Sequence, residues 1–323
     1  MPASAMKKYF AALLLFFSGI NGHAQKLANG EGYVKVEGGR IWYKVVGKGK
    51  GVPLLLIHGG PGSRSCSGLE EYSQLANERQ VIFYDQLGSG KSDRPTDTSL
   101  WRVSRFADEI DSLRKALGLG KLHILGHSWG GSVLAEYMVA KKPEGVASAI
   151  FSSPLISTPA WMNDARILVS QLPVSIRDTI NKYEALKDYQ APAYLAATDS
   201  FYARHLSVKQ WPPAPGAACE GVPGFNAEVY NYMWGPTEFT ATGTLLNFDR
   251  TDGLKEIAEP VLFVTGQFDE ARPETIAAFH QLVPHSRLEI IENAGHRTIR
   301  DQTIPYTRVL RRFMRSVERK SGL

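Results

Sequence analysis

From Gly32 to Val46 the chain alternates apolar and polar side chains around Gly38-Gly39, a pattern that predicts a β-hairpin. The pattern then changes. Pro53 to Ile57 is a short unbroken apolar run followed by glycines, as in a parallel strand buried on both faces. Val81 to Tyr84, Leu122 to Leu125 and Ala147 to Phe151 repeat that run. Between the second and third of these, Val103, Phe106, Ile110, Leu113 and Leu117 recur at helical spacing. Strands alternating with helices predict an α/β fold, a mostly parallel sheet covered by helices on both faces.

From about Pro154 to Phe248 the strand rhythm stops. Helical stretches, many aromatics and a proline-rich break from Trp211 to Pro215 take its place. Buried-strand runs resume at Pro260 to Thr265 and Arg287 to Ile291, and a last amphipathic helix covers Tyr306 to Val317. The expected organisation is an α/β core over residues 25–153 and 249–323, with a helical cap over 154–248.

Residues 1–24 read as a secretory signal peptide: Lys7-Lys8, an apolar stretch from Phe10 to Phe17, then Ala24 before the cut. The apolar stretch is shorter than the roughly 20 residues that span a bilayer, although an uncleaved anchor is the competing reading. Export follows as the expected localisation, periplasmic or secreted, with no membrane attachment after cleavage. The formal charge of +5 includes the two leader lysines. No basic cluster interleaves with aromatics in the manner of a nucleic-acid surface. The basic run Arg308 to Arg315 shares its helix with Val309, Leu310 and Phe313 and reads as a solvated face. Cys66 and Cys219 have no zinc-type spacing, and two thiols make no framework, so their pairing stays open.

The chemistry concentrates at Gly126-His127-Ser128-Trp129-Gly130, directly after one buried strand and before a helix. A G-x-S-x-G match alone occurs by chance; the strand-turn-helix setting is what makes Ser128 a candidate nucleophile. A serine needs a base, and the base needs an acid to orient it. Asp269 follows the strand ending at Thr265, and His296 follows the strand ending at Ile291, in the order Ser, acid, His. Asp249 and Asp252 precede their strand and suit a loop or cap role. His58 and His127 flank glycine turns, His123 lies within a strand, His280 and His285 border a surface helix, and His205 lies in the insertion. Two backbone N–H groups are then needed for an oxyanion. Trp129 supplies one candidate, and Gly60 in His58-Gly59-Gly60-Pro61-Gly62 supplies the other.

Taken together, His58 to Gly62, Tyr84 to Ser92 (YDQLGSGKS), Gly126 to Gly131 and Gly266 to Pro273 (GQFDEARP) resemble the proline iminopeptidases. Phe201 to His205 and Tyr232 to Phe239 resemble the cap of that family, and the most similar branch is the tricorn-interacting aminopeptidase. The resemblance spans essentially the whole chain after the leader. It implies a serine aminopeptidase acting on short peptides with a free N-terminus, with no metal or organic cofactor. It also implies that Glu238 in the cap and Glu270 beside Asp269 hold the substrate amine. Two carboxylates in a partly dry pocket would pair strongly with an ammonium or prolinium group. The competing roles are a helix-start acid for Glu270 and a surface residue for Glu238. Phe151, Tyr202, Tyr232 and Trp234 are candidates for lining the side-chain pocket, packing being their alternative. Arg272 and Arg297, beside the acid and the base, depart from what the resemblance explains. An esterase, lactonase or amidase of the same fold is the rival activity, and a non-catalytic binding protein the rival class.

Overall fold

A computed structural model describes residues 27–210, 212 and 216–322. The expected signal peptide lies outside the described residues, as does most of the proline-rich break at 211–215. The first hairpin pairs β1 (Gly30–Val36) with β2 (Gly39–Val46) in antiparallel register, Val36 opposite Gly39. β3 (Gly51–Ile57) leads through a short helix, α1 (Leu69–Tyr72), to β4 (Arg79–Tyr84). There follow α2 (Val103–Leu117), β5 (Leu122–His127), α3 (Trp129–Glu136) and β6 (Val146–Ser152).

Four helices then intervene before the next strand: α4 (Thr158–Ser170), α5 (Val174–Leu186), α6 (Pro192–His205) and α7 (Ala227–Met233). The core resumes with β7 (Val261–Gly266), α8 (Pro273–Leu282) and β8 (Arg287–Ile291). It closes with α9 (Thr298–Asp301) and α10 (Thr303–Ser321).

The eight strands form one sheet in the order β1-β2-β4-β3-β5-β6-β7-β8. β2 runs antiparallel to β4, and every pair from β4 to β8 is parallel. The unbroken apolar runs occupy these central strands because helices cover both faces, so neither side chain of each alternating pair meets water. One face packs Leu55, Ile124 and Phe263 under α2, α3 and α8; the other packs Leu54, Leu125 and Val264 under α10. In α10, Leu310, Phe313 and Val317 supply the apolar stripe while Arg311, Arg312 and Arg315 carry ion pairs to Glu78 and Glu289.

The insertion has an apolar cluster of its own, built on Leu168, Ile180, Tyr194, Phe201 and Phe239. It leaves and rejoins the core side by side. Thr158 N donates to Phe248 O at 2.8 Å and Arg250 N to Ile156 O at 3.0 Å, either side of a bridge between Ser157 and Asp249. A disulfide joins Cys66, just after β3, to Cys219, between α6 and α7.

Candidate active site

Ser128 lies at the carboxyl end of β5 and precedes the first residue of α3, with φ 56° and ψ −122°. A non-glycine residue in that region stores on the order of 1–3 kcal/mol of strain, which the surrounding turn must hold. The turn is held by close backbone approach: a Cβ on Gly126 would lie 2.2 Å from Gly130 O, and one on Gly130 would lie 2.3 Å from Ile57 O. Both positions therefore require glycine. The Ser128 backbone is fixed further by its N–H to Ser152 O at 3.0 Å and by Leu155 N–H to its carbonyl at 3.1 Å.

Asp269 and His296 come together as their spacing from β7 and β8 predicts. His296 Nδ1 lies 2.8 Å from Asp269 Oδ1. The same carboxylate accepts from Thr265 Oγ1 at 2.8 Å, Gly266 N at 3.2 Å and Ala271 N at 2.9 Å. Burial alone would raise the Asp269 carboxyl, but His296 and this set of donors outweigh it and hold the group below the usual carboxylate range. The pairing leaves His296 Nε2 for the cavity, which Ser128 and His296 both line. That cavity has a volume of about 340 Å³.

Gly60 lines the cavity too, and its loop lies against Ser128: a Cβ on Gly59 would sit 3.2 Å from Ser128 Cβ. Trp129 opens α3, so its backbone N–H has no acceptor within the helix. Gln86 ties these two pieces together. Its side chain donates to His58 O at 2.9 Å and accepts the Trp129 indole N–H at 2.7 Å, and its backbone N–H donates to His58 Nε2 at 3.1 Å. Nothing in the motif around Gln86 singled it out beforehand.

Glu270 is buried beside His296, with Oε1 3.7 Å from His296 Nε2. That oxygen has no hydrogen-bond partner among the described residues. Burial first, then the charges of Glu238 and Asp269, push the Glu270 carboxyl well above its ordinary value. Glu238 lines the cavity and is pushed up by burial as well, against the pull of His296 and a hydrogen bond from Tyr230. The structure thus brings both carboxylates to one side of His296.

The remaining candidates sort cleanly. Asp249 caps a turn, accepting from Ser157 Oγ and Thr251 N, each at 2.8 Å. His58 faces Gly59 O at 2.7 Å through Nδ1, and His123 faces Ser148 Oγ at 2.7 Å. His127 lies 4.9 Å from the His296 ring, and burial with that neighbour drives it down to about 3, so it stays neutral. Among the aromatics, Phe151 is a core residue of β6 stacked on Phe263 and does not line this cavity. Trp234 is buried with its indole N–H on Thr237 O, and Tyr232 faces outward. Tyr202 is hydrogen-bonded to the Glu238 backbone. The tyrosines and phenylalanines that do line the cavity are Tyr72, Phe83, Phe225 and Tyr230. Trp161 packs edge-on against His296 at 5.4 Å and donates to Glu238 O at 3.0 Å. Among the described residues, no group of three or more His, Cys, Asp or Glu side chains could hold a metal ion.

Residues 52–299 match the model of the alpha/beta hydrolase fold family. The chain is 43% identical over 289 residues to a proline iminopeptidase of Heyndrickxia coagulans, covering 89% of this chain and 99% of that protein. It is 35% identical over 288 residues to a proline iminopeptidase of Clostridium botulinum, covering 88% and 97%. Among solved structures, the proline iminopeptidase of Mycobacterium smegmatis superposes with a TM-score of 0.81 at 30% identity, over 90% of this chain and all of that one. A strand-turn-helix serine, a buried Asp–His pair and this breadth of likeness agree: the chain belongs to the alpha/beta hydrolase fold and, within it, to the proline iminopeptidases.

Proposed function

We propose that the protein is a serine aminopeptidase that releases N-terminal proline, or another small residue, from short peptides through an acyl-enzyme. The observation that carries this reading is the buried carboxylate pair, Glu238 and Glu270, with Glu270 Oε1 lacking any hydrogen-bond partner among the described residues. Ionising a buried carboxyl is costly, which is why this one is held above its ordinary value, and a substrate ammonium or prolinium beside it offsets that cost. A plain ester brings no cation, so the esterase and lactonase alternatives leave the pair unexplained.

In this reading the insertion over 154–248 acts as a cap that limits the site to one residue. Glu238 and Glu270 hold the free N-terminus, and Ser128 attacks the first carbonyl. His296, oriented by Asp269, takes the Ser128 proton and later returns it to the departing amine. Gly60 and Trp129 donate to the oxyanion. Water then releases the amino acid, again with His296 as base.

Export to the periplasm or beyond belongs to the same proposal. It rests on the leader pattern of residues 1–24, and the Cys66–Cys219 disulfide suits an oxidising compartment.

The test is hydrolysis of prolyl, alanyl and N-acetyl-prolyl anilides beside a short-chain nitrophenyl ester, with Ser128→Ala as the control. Cleavage of free-amine anilides with none of the blocked one is the expected result. Ester cleavage alone would return the protein to the esterases.

A further inference from the structure

The cavity at Ser128 extends past the catalytic groups into the sheet. Leu56, Phe83 and Leu125 line it as well. They come from three neighbouring strands and share one row: Leu56 is paired with Phe83 of β4 on one side and with Leu125 of β5 on the other. Adjacent strands lie about 4.8 Å apart and a strand rises about 3.3 Å per residue. The row is therefore a floor about 10 Å across, set about 10 Å back along β5 from Ser128. Tyr72, at the end of α1, and Ile299, in α9, add to the walls, and all five side chains are buried.

This arm is apolar because the polar groups around it are engaged elsewhere. The Tyr72 hydroxyl lies 3.3 Å from Tyr306 Oη, which donates to Ser152 Oγ at 2.7 Å, so the ring is what Tyr72 offers. Ser65 Oγ donates to Asp85 Oδ1 at 2.7 Å. Arg64 Nη1 donates to Val222 O at 2.8 Å, and Arg300 Nε lies 3.3 Å from Glu71 Oε1. An apolar side chain entering such an arm gains burial, whereas a charged one loses its hydration without gaining a partner.

The arm and the carboxylate pair stand on opposite sides of Ser128. Leu56, Tyr72, Phe83, Leu125 and Ile299 all belong to the apolar cluster under α10. The residues around the carboxylates belong to the cluster of the other face: Trp161, which donates to Glu238 O, Tyr230, which bonds the Glu238 side chain, and Ala271, which follows Glu270. β5 sends Ile124 to that face and Leu125 to the α10 face, and Ser128 stands at its carboxyl end between the two.

We propose that this arm is the subsite for the residue after the scissile bond, and that it selects a large apolar side chain there, leucine or phenylalanine. The proposal rests on the aminopeptidase reading above. With the substrate amine at Glu238 and Glu270 and the first carbonyl at Ser128, the departing residue lies across Ser128 from the carboxylates, where the arm opens. A glycine at that position leaves the floor of Leu56, Phe83 and Leu125 uncovered.

The experiment measures kcat/KM for four proline dipeptide amides whose second residue is leucine, phenylalanine, glycine or aspartate, with prolyl anilide alongside. The wild-type enzyme should use the leucine and phenylalanine amides roughly 10- to 100-fold better than the glycine one, the range for burying one apolar side chain. Ile299→Phe, which narrows the arm, should bring leucine and phenylalanine down to the level of glycine. Tyr72→Phe keeps the ring and removes only the hydroxyl beside Tyr306, so it should preserve the preference. Equal use of leucine and glycine by the wild type overturns the proposal. A preference for aspartate does so too, since it would assign the choice to Arg297, which also lines the cavity. An undiminished preference in folded Ile299→Phe moves the subsite elsewhere and is equally fatal. In each of these cases cleavage of prolyl anilide still upholds the aminopeptidase; failure to cleave the anilide and all four amides overturns both.

Discussion

The backbone N–H of His296 is held by the carbonyl of His205, 2.7 Å away at the last residue of α6, rather than by a neighbour in the α/β core. Arg297 N–H repeats the contact on Leu206 O at 2.8 Å. The end of α6, inside the insertion, thus sets the height of the loop that carries His296.

This contact depends on Gly295, where a Cβ would lie 2.7 Å from His205 O, a backbone atom. Gly295→Ala should push α6 and the loop apart. A displacement of about 1 Å at the reacting groups lowers the rate on the order of 100-fold, so kcat should fall by roughly 10- to 100-fold. Circular dichroism should still report a folded protein; undiminished kcat would disprove the coupling.

Gln86→Leu should strand the Trp129 indole N–H and the His58 carbonyl without partners. Each unsatisfied buried group destabilises by about 1–3 kcal/mol. If the clamp also positions Gly60 and Trp129, kcat should drop for ester and anilide alike, with KM little changed. A loss confined to thermal stability would limit Gln86 to a structural role.

The raised carboxyls of Glu238 and Glu270 give two pH signatures with defined signs. For free-amine substrates, kcat/KM should rise with pH as the pair ionises, and more steeply than for an ester. For folding, an acid raised in the native state binds its proton more tightly there than when unfolded. Its stabilising contribution is complete below about 4.5 and is lost as pH rises through the native value. Melting curves across that range should therefore show a smaller decline in Glu270→Gln than in the wild type. Parallel curves would contradict the assignment.

The Cys66–Cys219 disulfide closes a loop with a sequence separation of 153 residues. Chain entropy assigns such a closure up to about 5 kcal/mol, and typical measured values are about 2–4 kcal/mol. Reduction, or Cys66→Ser with Cys219→Ser, should lower the melting temperature accordingly. An unshifted melt would mean that the bridge contributes nothing to holding the insertion.

The core was legible because each central strand is a near-continuous apolar run and each helix a 3.6-residue stripe, and both follow from burial alone. The placement of Ser128 after β5 and the meeting of Asp269 with His296 were legible because all three follow the carboxyl ends of parallel strands of one sheet. The inside of the insertion was not. Tyr194 and Phe201 form one stripe of α6, but their partner Phe239 lies past α7 in a turn, so no periodicity links it to them. The His205–His296 contact joins two backbones, so no side-chain signal exists to read. Tyr230 was not among the aromatics singled out in the sequence, and only its place beside Glu238 distinguishes it. Phe151 misled because it closes a core strand immediately before the insertion.

The neck formed by Ile156 to Thr158 against Phe248 to Arg250 makes the insertion a cassette. A foreign segment whose ends meet at the same spacing could be spliced there with the sheet untouched. Such a graft would inherit two obligations, a carbonyl delivered to His296 and a cysteine opposite Cys66. If the insertion caps the site as proposed, exchanging this one contiguous stretch of gene should change substrate choice, with those two anchors as its fixed grammar.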